Sequence, residues 1–573
     1  MLSRLVALVG TLVLGCTAPA VWAQTESIFT SSVWCGNVTS TSASVVVRLT
    51  ASGQRVRLQV STSAGLAPAV FSPAATTAAT AGNTLTLTVQ GLQPDTDYFY
   101  GIEIAGVLRP EEISRGRIHT FPMGRSSFKI AFASCSDFRQ ENQSAFDAIL
   151  AERPLLFIHM GDLHYVDTNS TSIEDYRSNY DAVLNQPKQS ALYRNVPLAY
   201  MWSDHDFCGN DSNGSFIGRD AARAAYRERT PHYPIASNAG GTMAQAFTVG
   251  RVRVLMTDLR SAAAAPSVKE SASKSRLGTA QKNWLKQELI GARDAGFPLV
   301  LWVSPCPWIA EPNLGEDTWG GYATERTEIA NFIRDNRISN VVLLSGDMHA
   351  LAYDDGTHSD YATGGGAPLT VLQAASLTHP GAAKGGPYTA GPLLDGQQYG
   401  ILEIFDTGGP SIAGQFVGKK VGEGEKLSYI FSTSSGGGVS NTLVNISTLA
   451  RLASGNDALV SGFVISGQSP QRVLVRAVGP SLAEFGVSDV AARPQLAVFQ
   501  GSRMIATNEA WGPTEDSVSA LTDAFDRSGA FRLNNASRDA AVVLLMQPGA
   551  YTVQVRNGEA KGGSVLLEVY DIP

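Results

Sequence analysis

Charge is scarce in this chain of 573 residues: Asp, Glu, Lys and Arg make up 17 % of it, against the roughly 25 % of ordinary soluble domains. Basic residues are outnumbered, 44 to 51, and the formal net charge is −7 with no long basic run, which argues against nucleic acid as a partner. Five cysteines are too few to serve as the framework of a fold this size. Beyond the first two dozen residues no apolar run is long enough to cross a bilayer, so no transmembrane anchor is expected. What the chain does have is an ordinary apolar fraction, 44 %, enough for a sizeable core, and a length that suggests three or four domains at about 150 residues each.

The first residues read as an export signal: Arg4, then "LVALVGTLVLG" (5–15), then "VWA" (21–23), with cleavage expected after Ala23. A rival is "VLGC" (13–16), which loosely resembles a lipoprotein box with Cys16 as the lipid-bearing residue. Both place the protein outside the cytosol, periplasmic or extracellular. Cleavage after Ala23 leaves Cys35, Cys135, Cys208 and Cys306, which allow three pairings that sequence does not distinguish. A disulfide between Cys208 and Cys306 is one candidate.

Residues 24–126 read as a β-sandwich. "TSASVVVRL" (41–49), "QRVRLQVST" (54–62), "NTLTLTVQGL" (83–92) and "DYFYGIEIAG" (97–106) alternate apolar and polar residues between turn-forming clusters. "GLQPDTDYFY", with Pro94 and Asp95 ahead of a Tyr-rich strand, resembles the corner of fibronectin type III domains. From about 127 to 432, apolar strands alternate with helical stretches at 144–152, 172–184, 219–228, 280–295 and 325–336, an α/β grammar. Thr279 and Thr324 are the expected N-caps of the last two helices. A Gly/Ser-rich linker, 433–442, precedes a C-terminal module, 443–573, expected to be all-β.

The chemistry is written at the strand ends of the middle segment. "FKIAFASCSD" (128–137) ends in Cys135 and Asp137; "LLFIHMGDLHY" (155–165) in Asp162, His164 and Tyr165; "PLAYMWSDHD" (197–206) in Asp204, His205 and Asp206. "VRVLMTDLR" (252–260) ends in Asp258 and Arg260, "PLVLWVSPCPW" (298–308) in Ser304 and Cys306, and "VVLLSGDMH" (341–349) in Asp347 and His349. Open α/β sheets bind ligands at the C-terminal ends of their strands. Carboxylates gathered in one crevice need cations between them, and a thiol, phenol and imidazole alongside favour transition metals. Cys135, Asp162, Tyr165, Asp204, Asp347 and His349 therefore form a candidate site for at least two bridged ions.

The ordered set "FASC", "GDLHY", "WSDHD", "TDLR", "DTWGGYATER" (317–326) and "LSGDMHA" resembles the PhoD-like alkaline phosphatases of the calcineurin-like metallophosphoesterase superfamily, over roughly 127–432. That resemblance implies an αββα catalytic domain, Fe³⁺ and Ca²⁺, and hydrolysis of small phosphomonoesters or phosphodiesters by in-line attack of a metal-bound hydroxide. It implies Cys135 and Tyr165 as iron ligands, Asp162 as the bridge, and Asp204, Asp347 and His349 as further ligands. His205 would contact the phosphoryl oxygen or protonate the leaving group, with Arg260 a candidate phosphate contact. A departure is "SDHD" (203–206) where the family often reads "DDHE", so Ser203 and Asp206 replace usual carboxylates.

Blander roles stand beside these. His159 reads as a hydrogen-bonded core histidine, His164 as near even between site and core, Asp137 and Asp258 as cap or loop carboxylates, and Arg260 equally as a structural ion pair. His119, His232, His358 and His379 read as loop or surface residues. The C-terminal module is expected to bind cell surface or polysaccharide. The competing functional class is a non-catalytic surface protein, two β-modules flanking a degenerate metal-binding core used for adhesion.

Overall fold

The computed structural model describes residues 27–434, 445–453, 457–465, 471–512, 515–534, 537–547 and 549–572. The expected leader, Cys16 and residues 435–442 of the expected linker lie outside them, whereas 433–434 belong to a strand. The chain forms two compact units, 1–437 and 438–573.

Unbroken apolar strands dominate the first unit, and this is the pattern of sheets buried on both faces. One sheet has nine strands, with Phe128–Ala133, Leu156–His159 and Leu198–Tyr200 paired in parallel near its centre. The other has seven, with Val252–Met256, Leu299–Ser304, Val341–Ser345 and Thr370–Ala374 in parallel. Period-two alternation divides the second sheet cleanly. Val254, Met256, Leu301, Val303, Val342 and Leu344 share one core with Ile130, Phe132 and Phe157 of the first sheet. Leu255, Val300, Trp302, Val341 and Leu343 point the other way, onto Trp284, Leu285, Ile329 and Ile333 of helices Gly278–Asp294 and Ala323–Asp335. Helices Ser144–Glu152, Ile173–Leu184 and Pro187–Asn195 cover the first sheet, giving four layers.

The N-terminal strands depart from a self-contained sandwich. Arg55–Ser61 and Asp97–Ile104 do form a separate sheet with four short strands. Its opposite face, however, is part of the nine-stranded sheet: Trp34–Gly36 pairs in parallel with Leu198–Tyr200, Gly36 opposite Leu198, and carries Ser42–Arg48 and Thr84–Gln90 with it. A Cβ on Gly36 would lie 2.4 Å from the Leu198 carbonyl oxygen, so only glycine admits this join. At the tyrosine corner the Tyr98 hydroxyl accepts from the Gln93 amide at 2.8 Å.

The expected N-caps are corrected. Helices begin at Gly278 and Ala323, which puts Thr279 and Thr324 inside them. The amides of Arg276 and Leu277 donate instead to the carboxylate of Glu325, at 2.6 and 3.3 Å, a tertiary partner that sequence windows do not reveal.

The second unit packs two four-stranded antiparallel sheets around Val475, Val498, Val553, Val555 and Leu567. It is not all-β: helix Glu515–Ser528 seats Leu521 and Phe525 against Leu474, Ala541 and Tyr570. Val518, Leu521 and Phe525 carry the helical spacing that betrays it in the sequence.

Candidate metal centre

Three site segments leave the first sheet and one leaves the second, so the site lies where the C-terminal strand ends of both sheets meet. Cys135 follows Phe128–Ala133, Asp162 and Tyr165 follow Leu156–His159, and Asp204 and His205 open the short helix Asp204–Phe207 after Leu198–Tyr200. Asp347 and His349 sit between Val341–Ser345 and Ala350–Asp354. Four of these residues adopt left-handed backbone: Cys135 (φ 64°), Asp162 (53°), Asp347 (64°) and His349 (55°). Such conformations cost of order 1–3 kcal/mol for side chains like these and persist where surrounding structure imposes them. Here the loops interlock: the Asp347 amide donates to Ser134 Oγ at 3.1 Å, and a Cβ on Gly346 would meet that oxygen at 2.8 Å.

The side chains converge. Cys135 Sγ lies 3.5 Å from Asp162 Oδ2, and the Tyr165 hydroxyl lies 3.2 Å from the same oxygen and 3.3 Å from His349 Nε2. Ligand atoms of Cys135, Asp162 and His349 fall within 4.8 Å of one another, and so do those of Asp162, Asp204 and His205. Asp162 is common to both groups, as a bridging carboxylate must be. Asp204 is braced by Ser203 Oγ at 3.1 Å, the Asp211 amide at 2.8 Å and Arg260 at 3.4 Å.

The electrostatics call for cations. Asp162 is fully buried, and burial followed by repulsion from Asp204 pushes its carboxyl well above the usual range. Burial, followed by the Asp162 and Asp347 carboxylates, pushes the Cys135 thiol and the Tyr165 phenol up as well. Asp162 Oδ1, Asp347 Oδ2 and His349 Nδ1 are buried without a hydrogen-bond partner. Orphaned buried acceptors of this kind are costly, and the donor set (thiol, phenol, imidazole, three carboxylates) suits transition and hard ions together. The residues present therefore fit a centre of two or more metal ions.

His205 carries a different load. Burial disfavours its charge, but Asp162, Asp204 and a 2.5 Å hydrogen bond from Nδ1 to Asp167 raise its pKa to about 9.

Arg260 does not face an incoming anion. It is 1 % exposed and its guanidinium engages Asp317 at 2.6 Å, Ser203 Oγ at 2.9 Å, Cys306 Sγ at 2.9 Å and Asp204. The Cys208–Cys306 disulfide is likewise corrected, since all four described cysteines are free and buried. Cys306 lies between the guanidinium groups of Arg260 and Arg276, and Cys208 lies against the Tyr176 hydroxyl. Asp206 replaces the family carboxylate as a positioning group, accepting from the Leu163 and Ser203 amides and the Tyr200 hydroxyl. Asp258 accepts from Trp202 and three amides, Asp137 from Arg139, and His159 meets Ser136 Oγ inside the core. His164 is buried and packs edge-on to Tyr180.

The sequence reading missed residues outside the strand-end motifs. His379 is not a bystander: its ring stacks on Tyr165 with centroids 4.0 Å apart. Lys384 Nζ donates to Asp347 Oδ1 at 2.9 Å, and Asp317 and Asp211 group with Asp204. No short motif marks them, although "DTWGGYATER" does contain Asp317. His119 pairs with Asp95 and Asp97 on the N-terminal strands, and His358 with Asp354.

A four-layered fold with a metal-type ligand set between its sheets defines a candidate metallohydrolase. The chain matches the PhoD-like phosphatase family over residues 130–387 and the PhoD-like phosphatase N-terminal domain over residues 15–122. It belongs to the PhoD-like phosphatase family. It is 26 % identical over 320 residues to alkaline phosphatase D of Bacillus subtilis (strain 168), covering 47 % of this chain and 54 % of that one. The chain thus spans about half the length of the curated relative it matches. A solved structure of PhoD superposes with a TM-score of 0.57 at 18 % identity, over 72 % of this chain and 91 % of that one, a likeness of fold.

Proposed function

We propose that the protein is an exported, metal-dependent phosphoesterase of the alkaline phosphatase D type, acting on small phosphomonoesters or phosphodiesters. The observation that carries this reading is the position of Asp162, common to two ligand groups, buried, with Oδ1 unpartnered. Cys135, Asp162, Tyr165 and His349 would hold one ion, read as Fe³⁺ from the family. Asp162, Asp204 and Asp347 would hold its partner, read as Ca²⁺. When bound, such ions supply Lewis-acid charge to a phosphoryl group and acidify water.

The chain's own groups do the rest. His205 is anchored through Nδ1 by Asp167, which leaves its other ring nitrogen to donate to a phosphoryl oxygen or to the leaving group. Ser203, Arg260 and the Asp211 amide fix the Asp204 carboxylate, and outer contacts of this kind tune a metal site. The left-handed turns at Asp162 and Asp347 hold the two carboxylates at the crevice before any substrate arrives. We read 24–126 as a sandwich that shares strands with the nine-stranded sheet, 127–432 as the catalytic domain and 443–573 as a module joined through the linker 433–442, whose first two residues finish a strand. Among the described residues no helix is long and apolar enough to cross a membrane.

A non-catalytic, degenerate core would lack ligand groups, whereas Cys135, Asp162 and His349, and Asp162, Asp204 and His205, lie close enough to share ions, which supports the enzymatic reading. The deciding experiment follows hydrolysis of p-nitrophenyl phosphate and bis-p-nitrophenyl phosphate together with metal content. Stoichiometric metal, and loss of hydrolysis on EDTA treatment, in Asp162→Asn and in His349→Ala, are expected. Hydrolysis surviving all three overturns the reading.

A further inference from the structure

One segment, residues 379–386, straps across the centre. His379 stacks on Tyr165. Gly381 rests on His349 so closely that a Cβ there would lie 2.2 Å from Nδ1. Lys384 reaches Asp347, and immediately beyond it Gly385 (φ 80°) and Gly386 (φ 108°) pin the chain to Ile309, whose carbonyl accepts from the Gly386 amide at 2.9 Å. A Cβ on Gly385 would lie 2.2 Å from that carbonyl oxygen, so the backbone carrying Lys384 is held in place.

Lys384 differs from the other cations touching the carboxylates. Arg260 and Arg276 are each 1 % exposed in their side chains and are bound to Asp317 and Cys306. The Lys384 side chain is 34 % exposed, and its one hydrogen bond among the described residues goes to Asp347 Oδ1. An ammonium has three donors, so two remain for a ligand. Asp347 keeps its unpartnered Oδ2 for an ion while Oδ1 anchors the lysine.

We propose that Lys384 is a substrate-binding residue that takes the non-bridging phosphoryl oxygens and favours a dianionic phosphomonoester over a monoanionic phosphodiester. A fixed positive charge at hydrogen-bond distance gains more from a second negative charge on the same phosphorus, and gains most where water is partly excluded. The inference rests on the phosphoesterase reading above and deepens it. Its consequence is a charge preference set by a residue outside the metal ligands.

The test uses the full-length metal-loaded protein, with Lys384→Gln and Lys384→Arg, metal content checked in each. Two readouts are taken: inorganic phosphate affinity by calorimetry, and kcat and KM for p-nitrophenyl phosphate against bis-p-nitrophenyl phosphate. Lys384→Gln is expected to keep its metal, weaken phosphate about tenfold or more, and lower kcat/KM for the monoester by a similar factor. The diester should change less than about threefold, and Lys384→Arg should restore phosphate binding within about threefold. Unchanged phosphate affinity in Lys384→Gln, an equal loss for both esters, or loss of metal in that variant overturns the proposal. A wild-type protein that binds phosphate but cleaves neither ester refutes the enzymatic reading instead, while the phosphate titration still decides the role of Lys384.

Discussion

Two buried carboxylate sites in the first unit make opposite use of the same chemistry. Asp181, on helix Ile173–Leu184, is saturated: Arg48 and Arg229 pair with it, the latter at 2.5 Å, and Ser31 Oγ donates at 2.8 Å. Arg48 comes from the N-terminal strand Ser42–Arg48 and Arg229 from helix Arg219–Arg229, so the cluster ties the N-terminal strands to the helices over the nine-stranded sheet. Asp162 is more deeply buried and has no arginine or lysine partner; its neighbours are a thiol, a phenol, other carboxylates and the His205 imidazole, and Oδ1 makes no hydrogen bond. A buried carboxylate met by guanidinium groups holds a fold together. One left short of positive charge marks the place where an external cation belongs.

The largest effect expected from this contrast is at Asp162. Asp162→Asn should reduce phosphoester hydrolysis by about 10³-fold or more, with loss of metal, while thermal stability of the metal-free protein stays level or rises because a repelled charge is removed. Kinetics, metal analysis and calorimetry on one preparation check all three. Asp181→Ala should behave in the reverse manner: it strands the buried Arg229 guanidinium, while Arg48 keeps its pair with Glu174, and costs about 3 kcal/mol in denaturant unfolding, with metal content unchanged. A variant of Asp181 that lost metal stoichiometry while keeping its stability would break the comparison.

Arg260 joins both behaviours, being ion-paired like Arg48 but in contact with Asp204. Arg260→Met should therefore lower metal affinity and kcat/KM by roughly 10–100-fold, measurable by metal titration of the variant. The smallest effect is expected at Asp406, buried against Arg251, whose two nitrogens grip its two oxygens. Burial would raise this carboxyl, but Arg251 and the Gly408 amide hold it below the usual range. A depressed folded pKa contributes stability above the unfolded value near 3.9, and that contribution vanishes as pH falls through the folded value. The stability gap between wild type and Asp406→Asn should thus be about 1 kcal/mol above pH ~5 and close towards pH ~2. A gap that widened on acidification would contradict the assignment.

Much of this protein is written locally. Strand ends that switch within one step from apolar to ligand-type residues are visible at 128–137, 155–165, 197–206 and 341–349, and those segments do meet in space. Helical spacing is equally legible, and the stretch 515–528 carries it within a module built mainly of strands. Side chains that work through distant partners were not legible. Lys384 and His379 lie in a loop with no periodicity, and their meaning comes from Asp347 and Tyr165, 37 and 214 positions away by number.

The sequence alone determined which strands are buried and which side chains are of metal-ligating type, because burial follows apolar patterning and ligand type follows functional group. Only the tertiary structure decided what each charge does. Whether an arginine faces solvent or is walled in by Asp317 and Cys306, and whether the N-terminal strands close on themselves or join the nine-stranded sheet at Gly36, depends on contacts between residues remote in the chain. The cost of burying a charge is settled by its neighbours in space, and no window of sequence contains them.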